Sequence, residues 1–152
     1  ILVDDEYKNM RRSKPEKQEE LFLAYWKDRD PSPETKENEL QDEYFSRVAY
    51  ANNSFKGSTD GWRTHMGEIY IKFGRPDDIE EYSDPFTRIY QQRWHYYRIN
   101  KYFDFVDESG FGDYRLTSPN QNICRVVLAK NRLVFGLASR IYLSYFFLGP
   151  IG

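Results

Sequence analysis

Cysteine is nearly missing from this chain. Cys124 stands alone among 152 residues, so no disulfide can close within it and no set of thiolates can hold zinc. Histidine is almost as scarce. With only His65 and His95, the common recipes for transition-metal centres lack ligands, and no cofactor or metal is expected. A Walker A motif, a dinucleotide fingerprint and a Gly-x-Ser-x-Gly nucleophile turn are also absent; Gly110-Phe111-Gly112 has neither the third glycine nor a following helix. Cys124 has no histidine near it in sequence to act as an activating base. The acidic residues Asp104, Asp107, Glu108 and Asp113 do not follow the spacing of a calcium-binding EF-hand loop. Surplus positive charge is lacking too. The 22 Lys and Arg are outnumbered by 24 Asp and Glu, which excludes a general nucleic-acid binder, because such a protein must displace counterions from phosphates.

What the chain has in excess is aromatic. Thirteen Tyr, eleven Phe and three Trp make up 18% of the residues, with 39% hydrophobic residues in all, a composition able to repay the entropy of folding. The length suits one domain. Charge is unevenly spread: residues 1–113 carry all the acidic side chains, whereas residues 114–152 carry only Arg115, Arg125, Lys130, Arg132 and Arg140. The expected organisation is a polar lead-in over 1–13, a folded domain over 14–118 and a basic, apolar tail over 119–152. Residues 133–152 approach the apolar length of a bilayer span, but Arg140, Gly136, Gly149 and Pro150 interrupt them. The tail is read in three ways: as a core-completing segment, as a membrane-contacting or partner-contacting segment, or as foreign sequence introduced by a frame change. The chain starts at Ile1 without an initiator Met and reads as a mature product or a fragment.

Ser13, with Pro15 behind it and Glu16 three residues on, has the form of a helix amino terminus. The helix it opens carries Leu21, Phe22, Tyr25 and Trp26 and stops before Pro31 and Pro33. Leu40, Tyr44, Val48, Ala51 and Phe55 recur at steps of three and four and predict a second helix. After a polar turn comes Gly67-Glu68-Ile69-Tyr70-Ile71-Lys72-Phe73-Gly74. Ile69, Ile71 and Phe73 alternate as a strand, while Met66, Ile69, Tyr70 and Phe73 fit a helix; a strand is expected, ended by Gly74 at positive φ and by Pro76. Arg93–Tyr97 and Lys101–Val106, separated by Asn100, read as a hairpin. Asp107–Gly110 forms the next turn and Gly112–Leu116 a further strand. Helices followed by strands predict an α+β fold, an N-terminal helical pair packed on a small antiparallel sheet, with an apolar C-terminal tail.

From Arg29 to Leu116 the chain resembles the GWxTD domain family of bacterial proteins. The residues that carry the likeness are Arg29-Asp30-Pro31-Ser32-Pro33, Glu37-Asn38-Glu39, Tyr44 to Asn52, Gly61-Trp62-Arg63-Thr64-His65, Gly67 to Asp77, Trp94-His95-Tyr96, Phe103 to Asp107 and Gly112 to Leu116. His65 stands where the family usually has Asp. The resemblance implies an exported protein of the cell envelope, in the periplasm or at the outer membrane, and brings no established activity with it. A second likeness, to the small lipoprotein of the outer-membrane β-barrel assembly machinery, rests on the Gly-x-Pro-Asp turn and the aromatic strands; it implies that Ile69–Phe73 is helical.

The motif residues Gly61, Trp62, Thr64, His65, Gly74, Pro76 and Trp94 are expected to be structural. Gly61 supplies an unusual turn, Trp62 fills the core and Thr64 caps the next element. Tyrosines beyond the needs of a small core point outward, and Tyr82, Tyr90, Tyr97, Tyr102, Phe111, Tyr145 and Phe146 form the candidate interface. The expected function is that of a non-catalytic interaction or scaffold domain. Its partners are other protein subunits of an envelope or membrane assembly, with membrane contact through 133–152 and no nucleic acid. The competing expectation is an enzyme or a carbohydrate-binding domain in which His65, His95 and an acidic residue such as Asp104 converge.

Overall fold

The computed structural model describes residues 4–55, 59–117 and 137. Residues 4–42 and 43–117 belong to two compact units, and the division falls inside a helix. Tyr145 and Phe146 of the candidate interface, and the expected contacts of 133–152, lie outside the described residues apart from position 137.

The first unit contains α1 (Asp4–Arg12) and α2 (Pro15–Asp28). The polar lead-in therefore holds a helix. Ser13 closes α1 instead of opening α2: its hydroxyl donates to the Asn9 carbonyl at 2.7 Å, and Lys14 precedes α2 without a side-chain cap. Pro15 occupies the first turn of α2, where a missing N–H does no harm. Phe22, Tyr25 and Trp26 are buried with Met10 of α1, and the Trp26 ring meets Tyr25 and Phe22 edge-on at 5.1 and 6.2 Å. At the end of α2 the Arg29 guanidinium lies 2.8 Å from the Glu6 carboxylate and 4.2 Å above the Tyr25 ring, tying α1 to α2.

Asn38 caps α3 (Glu39–Ser54), its side-chain oxygen accepting from the Gln41 amide at 3.0 Å. Val48 and Ala51 on the expected stripe are buried, whereas Leu40 at its start is exposed. The second unit continues with a 3-10 turn (Gly61–Arg63), α4 (His65–Phe73) and four strands: β1 (Asp78–Ser83), β2 (Tyr90–Tyr96), β3 (Lys101–Asp107) and β4 (Arg115–Leu116). The sheet is antiparallel in the order β1-β2-β3-β4. The α+β class is as expected. The segment expected as a strand over 67–73 is α4, and the edge strand β1 replaces it in the sheet. The helical period wins because both ends are fixed. Thr64 caps the start, and Gly74, at φ +81, takes the conformation that stops a helix. A strand here would also have turned half of a segment whose residues Met66–Ile69 and Ile71 are buried toward solvent.

Register separates the two faces of the sheet. Trp94 pairs with Phe103, and Phe105 pairs with Leu116; with Tyr96 they face the helices. Phe73 of α4 packs on Tyr96 and Phe103 at 5.6 and 5.2 Å, and Phe55, just beyond α3, packs on Trp94 at 5.4 Å. Tyr96 is thus a core residue, unlike the other tyrosines of the strands, and its hydroxyl donates to the Gly74 carbonyl at 2.9 Å. Burial drives its pKa well above the usual phenol range.

Candidate functional site

The motif residues build the junction between α3 and α4. Gly61 is needed for proximity and not for an unusual φ: a Cβ at that position would stand 1.9 Å from the Ala51 carbonyl oxygen. Gly67 repeats the device one layer on, where a Cβ would stand 1.9 Å from the carbonyl of Gly61. The chain therefore stacks α3, the 3-10 turn and α4 with their backbones in contact. Thr64 locks this stack, since its hydroxyl donates to the Gly61 carbonyl at 2.7 Å and accepts from the Gly67 amide at 3.0 Å. Asn52 accepts from the Trp62 amide at 3.1 Å, and the Trp62 ring is buried. Gly67 and Asn52 were not singled out from the sequence, because what they touch is remote in the chain.

His65 follows the cap. Its Nδ1 accepts the Leu116 amide of β4 at 3.1 Å, so the imidazole fastens the motif to the sheet. Burial pushes its pKa down, the nearby Arg115 adds to that, and Asp113 opposes it. His95 has a different setting. It lies on the sheet face opposite Trp94 and Tyr96, as strand alternation predicts, with Nε2 3.0 Å from Glu80 and its ring stacked on Tyr97 at 5.8 Å. One histidine thus binds a backbone amide and the other a carboxylate. Asp104 is held by Arg93 through two contacts of 2.6 and 3.1 Å. The three residues of the competing reading therefore have separate partners.

Arg93, Asp104, Glu80 and His95 belong to the outer face of the sheet, where register aligns three rows. Asp78, His95 and Tyr102 form the first, Glu80, Arg93 and Asp104 the second, and Tyr82, Gln91, Val106 and Arg115 the third. Contacts within and between strands order this face. The Tyr82 hydroxyl donates to Glu80 at 2.6 Å, which lowers the carboxyl pKa of Glu80 and raises that of Tyr82. The Arg93 guanidinium sits 4.5 Å over the Tyr102 ring, and its bonds to Asp104 raise its pKa further. Tyr82, Tyr97 and Tyr102 are exposed, as are Tyr90 and Phe111. Chemically, the face offers flat rings, paired charges and amide groups in fixed positions.

Beyond β3, the buried Asp107 carboxylate accepts from the amides of Ser109, Gly110 and Gly112 and from the Ser109 hydroxyl, at 2.6 to 2.9 Å. Burial works to raise its pKa, but the Ser109, Gly112 and Gly110 donors outweigh it and hold the group below the usual carboxylate range. Its oxygens are engaged in shaping a loop. Among the described residues no cluster of three or more His, Cys, Asp or Glu is placed to hold a metal ion, and no helix is long and apolar enough to cross a membrane.

No curated protein and no solved structure matches the chain. A family model does. The GWxTD domain matches residues 1–121, a span that takes in the 3-10 turn with its glycine contacts, the Thr64 cap, the His65 tether and the whole sheet. The chain therefore belongs to the GWxTD domain family.

Proposed function

We propose that this domain works by binding, as an interaction or scaffold module in a bacterial envelope or membrane-associated assembly, and that the outer face of its sheet receives another protein. The observation that carries this reading is the preordered set of Tyr82, Tyr102, Arg93 and His95 on one sheet face, with Tyr97 just beyond β2 stacked on His95, opposite the face buried by the helices. Tyr and Arg dominate binding energy at protein interfaces because they bury large area with few rotatable bonds and keep polar groups to pair. Here their rotamers are already restrained by contacts within and between strands, so association loses less side-chain entropy. The acidic balance of residues 1–113 favours a partner with basic groups opposite Asp78 and Glu80. Contact of residues 133–152 with a bilayer edge belongs to the same proposal.

Site-specific photo-crosslinking in the native cell tests it. A crosslinker at position 82 or 102 is expected to form one discrete protein adduct, while one at the exposed Glu19 of α2 forms none. Identical labelling from all three positions, or none from the sheet face, would refute the reading.

A further inference from the structure

Among the described residues no strand lies beyond β1. It is the outermost of the four strands, and its six residues run in unbroken register with β2, from Asp78 opposite His95 to Ser83 opposite Tyr90. Just past it the Asp84 amide donates to the Ile89 carbonyl at 3.1 Å. Counting back from that bonded pair by the alternation of an antiparallel ladder, Tyr82, Glu80 and Asp78 turn their peptide groups to β2, while Ser83, Glu81 and Ile79 turn theirs to the open edge. Sheets commonly blunt such an edge with proline, lysine or a bulge. β1 holds neither proline nor lysine, and no bulge breaks its register from Asp78 to Ser83.

The charge on this edge has one sign. Between Arg75 and Arg88 the chain carries Asp77, Asp78, Glu80, Glu81 and Asp84, with no Lys or Arg. Their side chains bond to Tyr82, His95, Gln92, Tyr97, Phe86 and Thr87, and among the described residues none forms a salt bridge with Lys or Arg. Arg93, opposite Glu80 in register, is bonded to Asp104 at 2.6 and 3.1 Å. The helix side of the strand is open too. Ile79 is 45% exposed although Trp94, its register partner, is 2% exposed. The edge thus offers open peptide groups, negative charge and an aliphatic side chain, with Asp78 and Glu80 on the outer face and Ile79 and Glu81 on the other.

Together these features select the occupant. A second copy is disfavoured, since pairing β1 with β1 sets carboxylates against carboxylates. Nucleic acid and anionic lipid are repelled by the same groups. We infer that β1 receives an extended, basic segment of another protein as a further strand, its main chain pairing with Ile79, Glu81 and Ser83, with Lys or Arg beside Asp78 and Glu80 and an aliphatic residue beside Ile79. The edge adjoins the outer face through Asp78, Glu80 and Tyr82, so this mode of attachment rests on the proposed function and deepens it.

A capped peptide of alternating lysine and valine is the probe, added to the full chain and read by amide hydrogen exchange. At saturation, exchange at Ile79, Glu81 and Ser83 is expected to slow at least about tenfold, with no such change in α2. The fully N-methylated peptide keeps the charge but has no main-chain donor, and it should neither bind comparably nor protect these amides. Asp78→Asn/Glu80→Gln should weaken the parent peptide about fivefold at low salt. Equal binding of the N-methylated peptide, or binding without protection of the three amides, would overturn strand addition in favour of a loose charge contact. Protection in the free chain that grows with protein concentration would overturn it in favour of a second copy. Absent protection beside an intact crosslink from position 102 overturns the edge alone; absence of both refutes the binding reading itself.

Discussion

The Nδ1 atom of His65 accepts the Leu116 amide, so the tether requires that nitrogen to be free of its proton. Burial lowers the pKa of His65 in the folded chain, from 6.5. As pH falls through 6.5 the unfolded chain takes up a proton that the folded chain resists, and folding stability declines until the lowered value is passed. The family's usual Asp at this position offers an acceptor that stays charged at neutral pH, and it would lie in the first turn of α4, where a carboxylate is favoured by about 0.3–1 kcal/mol. His65→Asp is therefore expected to be slightly more stable at pH 7 and to lose the decline between pH 7 and 5, as read by urea unfolding at several pH values. A variant with the parent's pH slope would show that the imidazole is not the titrating tether. Some roles at this scale were legible in the sequence. A Thr three residues before a glycine, at the start of an apolar period, signals a cap, and Trp62 and Trp94 signal a core. The departure of His65 from the family pattern was equally plain, but not its partner, which lies 51 residues away.

Between elements, the decisive contacts are those without side chains. A Cβ at Gly61 or Gly67 would collide with backbone, so α3, the 3-10 turn and α4 could not keep their spacing. Gly61→Ala and Gly67→Ala are each expected to cost about 3 kcal/mol, the upper end of overpacking penalties, in denaturant unfolding. Gly112→Ala is the comparison. It has φ +85 and no atom within 4 Å of the added methyl, so only backbone strain remains, about 1–2 kcal/mol. A ranking in which Gly112 is the most sensitive would reject close approach as the reason for the motif's glycines. The elements themselves were unevenly legible. The β2–β3 hairpin announces itself by aromatic and β-branched runs around Asn100, which sits at φ +48. For 67–73 both periods fit, and the choice was made by the caps and by burial on several sides. Strand β1 has the composition Asp-Ile-Glu-Glu-Tyr-Ser, poor in strand formers, and owes its conformation to β2 alongside it.

For the molecule as a whole, the surface proposed for recognition is separate from the packed faces that hold the fold together. Trp94 is 2% exposed against Phe55 and Phe105, and Trp94→Ala should cost about 3–5 kcal/mol. Tyr82→Ser/Tyr102→Ser should leave the thermal midpoint nearly where it is while removing the crosslinked partner; a large fall in the midpoint would place these tyrosines in the scaffold instead. The sequence by itself determined the α+β class and the family, because composition, periodicity and motif order are local properties. Only the tertiary structure decided that 67–73 is a helix, that Gly61 serves contact, and that His65 and His95 have separate partners. Each of these depends on which distant backbone comes near, and proximity between remote segments is set by packing.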